Sequence, residues 1–102
     1  MQRFEAYSVI RRTTALMDTD LDSESIILHV KSGKIFGVAE TGKRIWDMLA
    51  EPVSFADLTH QLTAEYDIDP KSCAEDVSDF LAQLIDAGIL EVSPPQTKAP
   101  PV

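Results

Sequence analysis

The strongest nucleophile in the sequence is its single cysteine, Cys73. It falls in the first turn of the helix opened by Asp69-Pro70, where the helix dipole lowers a thiol pKa. A catalytic thiolate also needs a histidine base close by, and the residues around Cys73 supply none. On an apolar stripe, a lone cysteine reads as a small core residue. The two histidines, His29 and His60, are far apart in sequence. His29 alternates onto the strand face opposite Ile26, Leu28 and Val30 and reads as solvated; His60 lies off the stripe of Phe55, Leu58 and Leu62 and reads as exposed. Asp18, Asp20, Asp22 and Glu24 alternate as in a calcium loop, but the central glycine and closing glutamate are missing at the required offsets. A solvated turn accounts for them better. There is no glycine-rich phosphate loop and no Gly-x-Ser-x-Gly elbow. These residues predict no catalytic group, no metal site and no cofactor, so the chain reads as a non-enzyme. One cysteine also rules out an internal disulfide and a multi-cysteine metal site.

The elements that position these residues belong to one domain, because 102 residues bury one core and not two. The net charge of −8 repels phosphate and argues against nucleic acid as a partner; it attracts a basic one. No apolar run approaches the roughly 20 residues of a membrane span. The start, Met1-Gln2-Arg3-Phe4-Glu5, lacks the apolar stretch of a signal peptide. A cytoplasmic protein with no membrane partner is the expectation.

Residues 1–14 mix polar, basic and apolar types and read as a partly ordered arm with a short strand at 7–11. The folded domain spans 15–92. Residues 93–102 hold Pro94, Pro95, Pro100 and Pro101, four of the six prolines, and read as a disordered tail. Within the domain, 15–39 reads as strands: one at 15–21, then Ile26, Leu28 and Val30 alternating with Ile27, His29 and Lys31, the period of two that loads both faces of a sheet. Ser32-Gly33 marks a tight hairpin, and Ile35-Phe36-Gly37-Val38 returns. From residue 40 the period becomes helical. Gly42, Ile45, Trp46 and Leu49 share one helix face, with Thr41 as the cap. Glu51-Pro52 ends that helix. Ser54 with Asp57 starts a second, marked by Phe55, Leu58, Leu62 and Tyr66. Asp69-Pro70 starts a third, which runs over 70–87 and stops at Gly88. Its apolar stripe is wide. Ala74, Val77, Leu81 and Leu84 pack inward while Cys73 and Phe80 lie toward one edge, as on a helix covered on a second side by something else.

A β-hairpin joined to three helices predicts an α+β, winged-helix-like fold: a three-stranded antiparallel sheet packed on a three-helix bundle. Many such domains read DNA with the third helix. Here that segment carries Asp69, Glu75, Asp76, Asp79 and Asp86 against Lys71 alone, which disfavours a major groove.

Three segments together resemble a known family. Residues 25–38, SIILHVKSGKIFGV, look like its strand–turn–strand signature. Residues 41–49, TGKRIWDML, resemble its "tGxxiWxxL" first helix. Residues 76–90, DVSDFLAQLIDAGIL, resemble its "DVxxFLxxLxxxGLL" ending. The chain is thus similar, over about 15–92, to the PqqD family of recognition elements. These bind leader peptides of ribosomally made, modified peptides. It departs from the family at Ala39-Glu40, where members often carry Leu-Asn with the Asn as helix cap.

The resemblance implies a peptide chaperone that adds the leader as a further strand at the edge of the third strand, in a groove walled by the third helix. Carried onto this chain, the peptide-binding residues are Lys34, Ile35, Phe36, Gly37 and Val38 on the edge and Cys73, Asp76, Val77 and Phe80 on the wall, with Ile35, Val77 and Phe80 as pocket walls. Asp76 and Asp79 meet a Lys or Arg of the leader. The implied partners are a precursor leader peptide and a processing enzyme: a leader peptidase in lasso-peptide systems, a radical S-adenosylmethionine enzyme in the cofactor pathway. The same edge can also pair with a second copy, giving a homodimer. The alternative reading is an acidic winged-helix module for protein interaction or DNA-binding regulation.

Overall fold

The computed structural model describes residues 4–93. In chain order the elements are β1 (Val9–Arg12), β2 (Leu16–Leu21), β3 (Glu24–His29), β4 (Lys34–Ala39), α1 (Thr41–Met48), β5 (Val53–Ser54), α2 (Phe55–Tyr66), α3 (Pro70–Asp86) and β6 (Leu90–Ser93). The expected α+β class holds, with β2-β3-β4 as the three-stranded antiparallel sheet and three helices beside it.

A second sheet, ordered β5-β1-β6, was not foreseen. β1 pairs Val9 with Ser54 on one side and Ile10 with Val92 on the other. The N-terminal arm is therefore part of the core from residue 9 onward, and Ile10 is fully buried. Ser93, assigned to the tail, is the last residue of β6. The proline-rich residues 94–102 lie outside the described residues.

The helices form where local signals place them. The Ser54 hydroxyl accepts from the Asp57 N–H at 3.1 Å and opens α2. The Asp69 carboxylate accepts from the Ser72 N–H at 3.0 Å and opens α3, with Pro70 in the first turn. Both bonds satisfy donors that a helix start leaves free. Gly88, at φ 82°, lets the chain turn out of α3 into β6. The start of α1 differs from expectation. The cap position is Glu40, not Thr41, and no side chain caps it. Glu40 instead adopts φ 55°, ψ −127°, a conformation costly for a residue with a Cβ.

The buried face of β3 is also the reverse of the one expected. Ile27 is fully buried, Ile26 and Leu28 are half-exposed, and Val30 lies outside the strand and exposed. His29 shares the Ile27 side and is half-buried, not solvated; its Nδ1 lies 2.8 Å from the Ser32 hydroxyl. The core runs from Ile27 and Val38 on this sheet through Ile45, Trp46 and Leu49 of α1 to Leu58, Leu62, Val77, Leu81 and Leu84 of α2 and α3.

Trp46 fixes α1 against both sheets. Its indole N–H donates to Asp18 Oδ2 on β2 at 3.0 Å. Arg12 of β1 stacks over the ring, 3.7 Å from its centre, and donates to the Trp46 carbonyl at 2.6 Å. Arg12 also approaches Asp18 at 3.8 Å. Burial pulls the Arg12 pKa down, while Asp18, Asp47 and Asp20 oppose that fall. A cation over an indole face is attracted to the ring as well as to the carboxylate.

Candidate functional site

β4 is an edge. In the order β2-β3-β4 its only strand partner among the described residues is β3. Along its other side, alternate residues present backbone N–H and C=O groups that no described backbone group meets. Phe36 and Val38 point to the core side, opposite Ile27 and Ser25, and Val38 is buried there. Ile35 and Gly37 point the other way. Ile35 pairs with Leu28 and is 67% exposed.

Two residues past β4, a pocket of about 240 Å³ opens between the first turn of α1 and the flank of α3. Its lining is Thr41, Gly42 and Ile45 of α1, Leu62 of α2, Ile68 between α2 and α3, and Cys73, Asp76, Val77 and Phe80 of α3. The four α3 residues singled out in the sequence thus share one cavity. They recur at three- and four-residue intervals, which puts them on one helix flank. The five β4 residues do not line this cavity; Thr41 and Gly42 connect it to the strand's C-terminal end. Gly42, Ile45, Leu62, Thr41 and Ile68 were missed as site residues. The helical stripes place Ile45 and Leu62 in the interior, but a stripe does not reveal which interior residues border a void.

Space at Gly42 shapes this pocket. A Cβ there would sit 3.0 Å from Phe80 Cε1, so the absence of a side chain lets the Phe80 ring close over α1. The lining is almost wholly apolar, and Asp76 is the one charged side chain in it. The nearby cations of α1 are already engaged. Lys43 bonds Asp47 at 2.9 Å and Asp20 at 3.4 Å, and Arg44 makes a two-pronged pair with Glu65 at 2.9 and 2.6 Å. Asp76 makes no ion pair among the described residues and is exposed.

Cys73 is buried, with Sγ 4.0 Å from the Thr59 carbonyl. Burial pushes its thiol pKa up, and the Asp76 charge pushes it further the same way. The shift is thus opposite to the lowering expected at a helix start, because burial disfavours the charged thiolate. No group of three or more potential metal ligands occurs among the described residues, and no described helix is long and apolar enough to cross a membrane.

The TbiB1 protein, solved in complex with the TbiA(beta) leader peptide, superposes with a TM-score of 0.76 at 31% identity, covering 79% of this chain and 94% of that one. A lasso peptide synthetase B1 complexed with the leader peptide shares the fold, with a TM-score of 0.72 at 22% identity over 80% of this chain and 96% of that one. No curated protein matches the chain. The family described as coenzyme PQQ synthesis protein D (PqqD) matches residues 24–90. That span holds the edge strand, the pocket and all three helices, and the chain belongs to the PqqD family.

Proposed function

We propose that this chain is a non-catalytic adaptor that binds the leader of a ribosomally made precursor peptide and presents it to a modifying or processing enzyme, a leader peptidase or a radical S-adenosylmethionine enzyme. The observation that carries the reading is the open edge of β4 leading into an apolar pocket. The likeness to TbiB1, solved with a leader peptide, supports it.

The physics is strand addition. An unstructured peptide satisfies the open backbone groups of alternate residues along Lys34, Ile35, Phe36, Gly37 and Val38. Four to six such bonds contribute about 0.5–1.5 kcal/mol each. Ordering the peptide costs roughly 2–5 kcal/mol. Backbone pairing and ordering then nearly cancel, so apolar anchors must supply the surplus. A large side chain fully buried against Val77, Phe80 and Cys73 adds about 1.5–3 kcal/mol. Asp76, and Asp79 one turn on, meet a Lys or Arg of the leader. At an exposed rim that pair sets orientation and association rate more than affinity. Burial of the Cys73 thiol supports binding over nucleophilic catalysis at this pocket.

Amide NMR during titration with the synthetic leader of the precursor encoded beside this chain tests the reading. Shifts concentrated in 34–38 and 73–80 are expected. Saturable binding that leaves both segments unshifted defeats it.

A further inference from the structure

Three of the four glycines answer a need of the fold. Gly33 and Gly88 take a positive φ, and Gly42 lies under the Phe80 ring. Gly37 answers none. It sits in the middle of β4, and its φ lies outside the left-handed region. A Cβ there would meet only Ile26 Cδ1, at 3.7 Å, an ordinary van der Waals contact. The fold therefore has room for a side chain at 37 and no use for its absence. Glycine inside a strand costs chain entropy and packs nothing, and it marks a place where a ligand or another backbone comes close. No described group makes that approach at Gly37, so it belongs to what is added at the β4 edge.

The register places Gly37 beside Ile26, and Ile26 beside Thr19, in one row on the sheet face turned away from the core. The next row on that face holds Met17, Leu28 and Ile35. Ile26 is half-buried and Ile35 is exposed. The missing side chain thus leaves a notch, floored by the Gly37 backbone, backed by Ile26, flanked by Ile35 and open toward the β4 edge. We infer that this notch is a specificity subsite for an aromatic side chain of the leader. The inference rests on the adaptor reading above and adds the kind of residue that the leader carries there. A strand on β4 turns alternate side chains to this face, and one of them stands opposite Gly37. Facing residues of an antiparallel pair hold their Cβ atoms about 4.5–5.5 Å apart. A flat ring crosses that gap, lies over the Gly37 Cα and ends against Ile26 Cδ1; alanine, serine or valine stops short. Diagonal neighbours about 7–8 Å away are also within reach of an aromatic side chain, so Ile35 packs on the flank of the ring. A ring laid across an edge glycine supplies the packing that the glycine lacks. A side chain at position 37 would take the same space.

The test uses a fluorescein-labelled leader of the precursor encoded beside this chain, and copies of it in which each aromatic residue in turn is replaced by alanine. Gly37→Val should weaken binding of the intact leader fivefold or more. One alanine-substituted leader should be weakened as much, and the two changes together should cost little more than either alone, because both empty the same notch of its ring. Additive losses overturn the inference, since residue 37 would then act through the edge backbone. So does wild-type affinity in Gly37→Val, or a leader without an aromatic residue. Gly37→Ala should melt no lower than wild type; a lower melting temperature would show that the fold itself needs the glycine, and overturns the inference as well. A direct readout uses the wild-type chain with isotope-labelled isoleucine methyl groups. The Ile26 Cδ1 signal should move upfield on binding, as it does over the face of a ring, and stay in place with the substituted leader. Binding that shifts the β4 amides but leaves the Ile26 methyl unmoved defeats the subsite alone. A wild-type chain that does not bind the leader defeats the adaptor reading, and the subsite with it.

Discussion

The Phe80 ring lies across the Cα of Gly42, so close that a methyl group on that Cα would stand 3.0 Å from Phe80 Cε1 and 3.3 Å from Cζ. This pairing joins the first turn of α1 to the middle of α3 and closes one side of the pocket. It also gives the glycine of the "tGxxiWxxL" segment a physical reason: a flat aromatic wall needs a residue without a side chain beneath it.

Gly42→Ala should therefore separate binding from stability. The alanine gains up to about 1 kcal/mol of helix propensity, which offsets the cost of moving a half-buried ring. Urea unfolding should shift by less than about 1 kcal/mol, while leader affinity measured by fluorescence polarisation falls fivefold or more. Unchanged affinity would show that the ring's position is immaterial.

Phe80→Ala removes the wall outright. The side chain is only partly buried, so the stability loss should stay below the roughly 3–5 kcal/mol of a fully buried phenylalanine. Leader affinity should fall tenfold or more, or about 1.4 kcal/mol. Calorimetric titration that returns the wild-type affinity takes Phe80 out of the site.

Asp18→Ala leaves the Trp46 indole N–H without its acceptor and deprives Arg12 of its nearest carboxylate. Leaving a buried donor unmet costs about 1–3 kcal/mol. A loss of that size is expected in chemical unfolding, with a strong coupling to Arg12→Ala in a double-mutant cycle. Additive single effects would show that the Arg12, Trp46 and Asp18 cluster does not act as a unit.

Acid should weaken the fold through two carboxylates. Asp20 is held below its ordinary pKa first by the Ser25 hydroxyl and then by Lys43; Glu65 is held below its own by Arg44. A carboxylate depressed in the folded state adds stability above its unfolded pKa and loses it as pH falls through the folded value. Melting temperature should therefore drop as pH falls below about 4, less steeply in Asp20→Asn and Glu65→Gln. Added salt should erase more of the Glu65 contribution, which is an exposed ion pair, than of the Asp20 contribution, which rests first on a hydroxyl. Parallel pH profiles for wild type and both variants would refute this assignment.

Cys73 should behave as a protected thiol. Burial and the neighbouring Asp76 raise its pKa, which lowers the thiolate fraction that reacts. Iodoacetamide at pH 8 should label the native chain at least tenfold more slowly than the urea-unfolded chain, and bound leader should slow it further. Fast native labelling would mean that the pocket opens to Cys73.

The α3 side of the pocket was legible because its signals are local. Cys73, Asp76, Val77 and Phe80 share a helix flank by spacing alone, and the helix that carries them announces itself by Asp69-Pro70 and Gly88. The hairpin leading to β4 shows in Ser32-Gly33, where Gly33 takes φ 75°. The outward turn of Ile35 was not legible, because alternation states which residues share a face but not which face is inside.

The sequence by itself determined the three helices, the β3–β4 hairpin and the flank of α3 that meets the pocket, since caps, turns and periods act within a few residues. Only the tertiary structure decided the second sheet, whose pairs such as Ile10 with Val92 join residues with no local signal between them. It also decided which face of β3 is buried. There, both alternating sets contain apolar residues, and the choice falls to a long-range bond, Trp46 to Asp18, which with the cross-hairpin bond of Ser25 to Asp20 draws the aspartates of β2 inward and leaves Met17, Leu28 and Ile35 outside.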